Sequence, residues 1–234
     1  MVRKVAIISP SYDGKVVCDH ALHLVTVFQR AAKERPDLQL SLNYWMYGAI
    51  IQQSRNNLFC DAYENGADDI FFMDVDQTVD AQAFFALLDH PVDVVGVTAR
   101  MKTEDERYNH RPENDHEHQW DKDLKLLNVK YLPTGYMRIS RKAAKKLYDS
   151  CPEYQDGGKK RKMICNVTIE KDGGIISEDI HLCKNLNELG LKCYLDIKYT
   201  CDHFGTKKFS GDYQQKYSYS VLSQLMEGHD DRKP

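Results

Sequence analysis

An α/β sandwich with a mainly parallel central sheet is the fold class this sequence predicts, and three observations carry the expectation. Apolar runs of strand length, among them Val5–Ile8, Ile70–Met73 and Val92–Val97, read as strands covered on both faces. Between such runs lie segments whose apolar residues recur at three- and four-residue steps, the period of a helix. The 234 residues, 42% hydrophobic and 29% charged, supply the core of one compact domain and are short for two.

The elements follow in order. Lys4–Ser9 is a strand that ends in the turn Pro10-Ser11-Tyr12-Asp13-Gly14. Leu22, Val25, Phe28 and Ala32 mark a helix from Cys18 to about Glu34, closed by Pro36. Gln39–Tyr44 is a second strand, and Ser54 is placed to cap a helix carrying Leu58, Ala62 and Tyr63 that stops at Asn65-Gly66. Asp69–Met73 is a central strand, Asp80–Leu88 a helix and Asp93–Val97 a buried strand. Arg100–Lys125 changes character: it is crowded with Glu, Asp, Arg and His, carries Trp120, and is either a functional loop or solvated surface. Val129–Leu132 is a strand, Arg141–Tyr148 a short helix and Gly157–Lys162 a basic turn. Glu178–Leu189 is a helix ended by Gly190, Lys192–Ile197 is the last strand, and Glu227–Pro234 is a polar tail.

Composition excludes several classes. With 32 Lys and Arg against 35 Asp and Glu the formal charge is −3, which argues against a globally basic nucleic-acid binder. An aromatic content of 10% argues against disorder. No apolar stretch approaches the ~20 residues that span a bilayer. Pro10, Asp13 and Lys15 interrupt the opening apolar run before a signal-peptide core can form. The seven Cys are scattered without CxxC pairs, the pattern of reduced thiols, so the expectation is a soluble cytoplasmic protein.

Three clusters carry chemistry. In Phe71-Phe72-Met73-Asp74-Val75-Asp76 two carboxylates stand just past the carboxyl end of a central strand, where open α/β sheets bind ligands. An isolated Asp-x-Asp is usually a plain polar turn, but four apolar residues directly before this one leave the strand no exposed face and display the acidic pair at the sheet rim. In Cys201-Asp202-His203-Phe204, a histidine after the last strand can complete an octahedral Mn²⁺ or Mg²⁺ site on Asp74 and Asp76, its imidazole favouring Mn²⁺. Alone, such a histidine is more often structural. Ser177-Glu178-Asp179 places two acids at a helix start, where they complement the helix dipole or hold a general base, Asp179 or Glu178, for an acceptor hydroxyl.

From Lys4 to about Lys208 the chain resembles nucleotide-sugar-dependent glycosyltransferases of the GT-A fold, a Rossmann-like sandwich. The matching pieces are Ile7-Ile8-Ser9-Pro10-Ser11-Tyr12-Asp13, Ser54-Arg55-Asn56-Asn57, Asp74-Val75-Asp76, Thr134-Gly135-Tyr136-Met137, Glu178-Asp179 and His203. It looks most like the small single-domain enzymes of large DNA viruses and bacteriophages and bacterial family-two-like enzymes. The resemblance implies one domain over 1–234, with a nucleotide-sugar donor half (1–99), an acceptor and catalytic half (100–209) and a C-terminal tail (210–234). It implies that Pro10, Ser11, Tyr12 and Asp13 line the base and ribose, with Tyr12 stacking on a uracil or other base. Arg55 then lies near the ribose or diphosphate. Asp74, Val75 and Asp76 hold the ribose and the Mn²⁺ or Mg²⁺ that bridges the phosphates, with His203 the distal ligand. Gly135 frames the sugar, Lys207 or Lys208 reaches the diphosphate, and Asp179 is the base of an inverting transfer. A viral source implies the host cytoplasm. The acceptor is a hydroxyl of a glycan, a protein-linked glycan or a modified nucleic acid, and nothing requires an oligomer.

Other groupings read as structure. Cys18, His20 and His23 diverge on a helix and read as packing, and His110, His116 and His118 as solvated loop residues. Lys159–Lys162 is a charged turn or a contact to an anionic acceptor, and Asn166-Val167-Thr168 matches a glycosylation acceptor that has no use in a reduced cytoplasm. Two further functional classes fit the same rim. A Mg²⁺-dependent nucleotidyl- or phosphoryl-transfer enzyme is disfavoured because no glycine-rich phosphate loop is present. A non-catalytic nucleotide or nucleic-acid-binding module would use Lys159–Lys162.

Overall fold

A computed structural model of the protein describes residues 2–112 and 119–227. The chain runs β1 (Arg3–Ser11), α1 (Cys18–Glu34), β2 (Leu38–Met46), α2 (Ile51–Glu64), β3 (Asp69–Met73), β4 (Gln77–Thr78), α3 (Gln82–Asp89) and β5 (Val94–Ala99). It continues through β6 (Arg111–Pro112), β7 (Gln119–Asp121), β8 (Leu126–Tyr131), β9 (Tyr136–Ser140), α4 (Arg141–Ser150), β10 (Glu153–Asp156) and β11 (Lys159–Lys162). Last come β12 (Thr168–Ile169), β13 (Ile175–Ile176), α5 (Glu178–Glu188), β14 (Cys193–Phe204), β15 (Lys208–Phe209) and α6 (Tyr213–Glu227).

The expected sandwich is the fold the chain adopts. The main sheet has the order β2-β1-β3-β9-β5-β14-β8-β6. β1 pairs in parallel with both β2 and β3, and β14 in parallel with β5, while β9 lies antiparallel between β3 and β5. Successive side chains of each central strand therefore enter two different cores. Ala6, Ile8, Ile70 and Phe72 pack with Phe59 of α2, Leu147 of α4 and Leu186 of α5. Val5, Ile7, Phe71 and Met73 pack on the other face with Leu24 and Val27 of α1 and Phe84 and Leu87 of α3. All five residues of β3 are buried, as its unbroken apolar run requires, and each large side chain buried there contributes roughly 1.5–3 kcal/mol of transfer free energy.

Four local expectations differ from the structure. Ser54 is not a cap: α2 starts at Ile51, and the Ser54 hydroxyl donates back to the Ile50 carbonyl at 3.2 Å, the bond a serine inside a helix makes to the preceding turn. The strand β9 was hidden by Arg138 at its centre, a charge that breaks the apolar pattern yet is buried. Lys159–Lys162 is a strand, paired with β10 across the turn Gly157-Gly158, whose φ angles of 56° and 80° suit glycine. Finally, α6 occupies the region expected to be a tail, with Tyr213 of its first turn buried in the core. His116 and His118 lie outside the described residues.

Candidate active site

The site follows from the topology. The chain leaves β1 for β2 on one side and returns to β3 on the other, so the carboxyl ends of β1 and β3 lie side by side where the strand order reverses, the place where open α/β sheets bind ligands. Residues 10–13 line the β1 side. Pro10 and Ser11 are buried and paired in register with Trp45 and Met46, while Tyr12 is 75% exposed. The Asp13 carboxylate accepts from the Lys15 amide at 3.1 Å and lies 3.1 Å from its ammonium, which fixes the turn and holds the carboxyl below the usual range. The aromatic ring of Tyr12 thus stands free above a backbone pinned on both sides.

On the β3 side, Asp74 and Asp76 take different partners. The buried Arg55 guanidinium on α2 donates from Nη2 to both Asp74 oxygens, at 2.8 and 3.1 Å, and from Nη1 to Glu178 Oε1 at 2.5 Å. Burial alone would lower the Arg55 pKa, but the Asp74 and Glu178 charges outweigh it and raise it. One buried cation therefore joins the strand-end carboxylate to the start of α5.

Asp76 meets His203 because β14 is longer than expected and irregular. Its pairing with β5 jumps from Leu195–Gly96 to Thr200–Thr98, and its end then runs antiparallel to β4 with His203 opposite Gln77. The Phe204 amide donates to the Asp76 carbonyl at 2.8 Å. His203 Nε2 lies 3.5 Å from Asp76 Oδ2, and Nδ1 lies 3.1 Å from the Arg100 carbonyl, a contact that orients the ring with Nε2 facing the carboxylate. Lys102 Nζ is 2.6 Å from the same Oδ2. Desolvation pushes the Asp76 carboxyl up, yet the hydrogen bonds from His203 and Lys102 prevail and hold it at about 2.

The remaining predicted residues lie around this rim. The Gly135 carbonyl accepts from the Asp74 amide at 2.9 Å, and a Cβ on Gly135 would lie 2.2 Å from the Gln77 carboxamide, which would have to move aside for a larger residue. The Val75 carbonyl accepts from the Val17 amide at 3.1 Å. Lys207 pairs with Glu104 at 2.8 Å and Lys208 with Asp202 at 2.6 Å, on the hairpin formed by β14 and β15. Asp179 Oδ1 accepts from the Ser177 hydroxyl and from the Ile180 amide, the latter at 2.8 Å, and Oδ2 has no partner among the described residues.

The residues fit a divalent cation in part. Asp76 and His203 bring an oxygen and an oriented imidazole nitrogen side by side, two donors that would hold a Mn²⁺ or Mg²⁺ ion. Asp74 is engaged by Arg55, and among the described residues no three His, Cys, Asp or Glu side chains form a metal-holding group.

Sequence reasoning missed Lys102, which sits just past the carboxyl end of β5 on the same rim. No local signal sets it apart from the other charges of Arg100–Lys125. His20 and His23 do pack: His20 Nδ1 lies 3.0 Å from the Gln77 carbonyl and His23 Nε2 lies 3.1 Å from the Tyr136 hydroxyl, which braces the turn after Asp76. The basic strand β11 is largely neutralised, with Arg161 on Asp61 at 2.8 Å and Lys162 on Glu153 at 3.1 Å. A cavity of about 510 Å³ beside His90, Trp120, Asp196 and Tyr199 shares no residue with the rim. No helix among the described residues is long and apolar enough to cross a membrane.

By sequence, the chain matches no protein family and no curated protein. Among solved structures it is similar to A197 from STIV, with a TM-score of 0.48 and 17% identity, covering 87% of this chain and 86% of that one. It is similar as well to GalNAc-T7, crystallised with UDP, GalNAc and Mn²⁺, at a TM-score of 0.41 and 10% identity over 86% of this chain and 44% of that one. For S. aureus TarS 1–349 in complex with UDP the values are 0.35 and 16%, over 61% of this chain and 48% of that one. The chain thus spans less than half of the GalNAc-T7 and TarS chains.

Proposed function

We propose that this protein is a divalent-metal-dependent glycosyltransferase that moves a sugar from a nucleoside-diphosphate sugar, a UDP-sugar first, to a hydroxyl acceptor with inversion. One observation carries the reading: the end of β14 brings His203 to 3.5 Å from Asp76, just past the carboxyl end of β3 where the strand order reverses. A strand-end carboxylate with an imidazole delivered from a distant strand suits a cation that also binds phosphate oxygens.

In this reading Tyr12 stacks on the base, and Pro10, Ser11 and Asp13 shape the ribose pocket. Asp76 and His203 hold the cation, which neutralises charge on the departing diphosphate. Asp74, held by Arg55, faces the ribose, with Val75 supplying the backbone between the two carboxylates. Gly135 leaves room for the sugar, and Lys207 and Lys208 exchange Glu104 and Asp202 for phosphate oxygens. Breaking the anomeric bond builds positive charge on the sugar, so a carboxylate that deprotonates the incoming hydroxyl on the opposite face completes the displacement. Asp179 serves as that base: Ser177 and the Ile180 amide fix one oxygen and leave the other to take the proton. Glu178, paired with Arg55, positions the start of α5 instead.

Thermal-shift titrations with nucleoside diphosphates and their sugars, with and without Mn²⁺, test the reading. A nucleoside diphosphate stabilises the wild type only when Mn²⁺ is present, and Asp76→Ala abolishes that effect. If no nucleotide stabilises the protein under any condition, the proposal fails.

A further inference from the structure

We propose that Lys102 is a resident counter-cation of the metal site: its ammonium neutralises Asp76 while the site is empty and moves to the diphosphate when a divalent ion takes the carboxylate. The inference rests on the glycosyltransferase reading and adds to it a residue with two successive partners.

Lys102 Nζ and His203 Nε2 address one and the same oxygen, Asp76 Oδ2, at 2.6 and 3.5 Å. A metal ion bound to that oxygen competes directly with the ammonium for it. The placement of Lys102 is built into the fold. The Arg100 amide donates to the Cys201 carbonyl at 3.2 Å, the Met101 amide to the Arg107 carbonyl at 2.9 Å, and the Arg100 guanidinium to the Met101 and Glu104 carbonyls at 2.9 and 3.0 Å. The aliphatic stem of Lys102 rests on Gly205, where a Cβ would lie only 3.2 Å from its Cδ. The same short segment offers the Arg100 carbonyl that orients His203. Ligand and competitor are therefore set by one backbone stretch, while the Lys102 side chain, 36% exposed, keeps room to swing at its tip.

Charge explains the exchange. With Lys102 on Asp76 the pair is neutral and offers a diphosphate little attraction. A divalent ion on Asp76 takes the oxygen that Lys102 holds and repels the ammonium, which then turns to a diphosphate bound at that ion. Lys102 thereby lowers the affinity for the metal alone and raises the affinity for the nucleotide once the metal is present.

The test is Lys102→Met, which keeps the stem on Gly205 and removes only the charge. Free Mn²⁺ is followed by electron paramagnetic resonance without nucleotide, and UDP binding by calorimetry at saturating Mn²⁺, with circular dichroism confirming the fold. The expected result is Mn²⁺ binding about tenfold tighter than wild type and UDP binding about tenfold weaker, two changes of opposite sign. Unchanged or weaker Mn²⁺ binding overturns the counter-cation role, including the case where only UDP affinity falls and Lys102 is merely a phosphate contact. If neither protein binds Mn²⁺, with or without UDP, the metal-dependent reading beneath the inference falls as well.

Discussion

Arg55 Nη2 lies 2.8 and 3.1 Å from the two carboxylate oxygens of Asp74, so the acid at the end of β3 is tied to α2 before any ligand arrives. The other arm of the guanidinium reaches Glu178 on α5. Removing the cation leaves two carboxylates without their counter-charge in a half-buried place, and breaking such a pair typically costs about 3–5 kcal/mol. Arg55→Ala is therefore expected to lower the urea midpoint by that order, and Arg55→Lys to recover only part of it, because an ammonium cannot reproduce the forked contact. Stability of Arg55→Ala within about 1 kcal/mol of wild type contradicts the bridging role.

Two neighbouring acids at the start of α5 are assigned different work, and their variants separate them. Asp179→Asn keeps the side chain at the helix start but cannot accept a proton, so turnover falls about 10²–10⁴-fold while the nucleotide dissociation constant stays unchanged. Glu178→Gln weakens the bond to Arg55 and chiefly lowers stability. Single-turnover rates beside equilibrium UDP binding make the comparison. The opposite pattern, with catalysis lost in Glu178→Gln and retained in Asp179→Asn, reverses the assignment.

Burial makes His23 a source of acid sensitivity. Removal from water is the main cause that takes its pKa down to about 4, with the neighbouring His20 charge adding to it. The Tyr136 phenol, itself held protonated by burial, shares a hydrogen bond of 3.1 Å with His23 Nε2. An unfolded histidine titrates near 6.5, so between about pH 6.5 and 4 the unfolded chain binds a proton that the folded chain refuses. Stability from this residue thus falls as pH drops through that window and levels off below it, by about 3 kcal/mol in all. Chemical denaturation at a series of pH values is expected to show His23→Leu losing less stability than wild type over this range. Equal losses in the two proteins contradict the assignment.

The sequence made one part of the rim readable and concealed the rest. Asp74 and Asp76 could be placed because β3 is apolar on both faces, a pattern that local order alone defines. The partnership of His203 with Asp76 depends on the irregular pairing of β14 with β5, a tertiary event without a local signature. Lys102 was indistinguishable among the charges of Arg100–Lys125, because what sets it apart is a single carboxylate brought over from β3. α6 escaped because its first two turns are polar apart from tyrosines, and Tyr213 is buried by packing against the ring of His110. β9 escaped because of Arg138, whose charge is answered by groups distant in sequence.

Those groups make the last prediction. Arg138 Nη1 donates to Asp69 Oδ1 at 3.0 Å, its Nη2 donates to the His90 and Val92 carbonyls at 3.0 and 2.6 Å, and Arg3 Nε donates to Asp69 Oδ2 at 2.6 Å. Asp69 and Arg138 are both only 2% exposed, and Asp69 is the carboxylate that Arg138 bonds in that buried place. Asp69→Asn keeps the shape and removes the charge, leaving Arg138 buried with carbonyl partners alone. The expected loss is about 3–5 kcal/mol, read as a lower urea midpoint at unchanged slope. Replacing both members by apolar residues of similar size, Asp69→Leu with Arg138→Met, removes the stranded charge and is expected to restore part of that loss. The pair has no such role if Asp69→Asn unfolds at the wild-type midpoint, or if the double variant is less stable than the sum of its single changes.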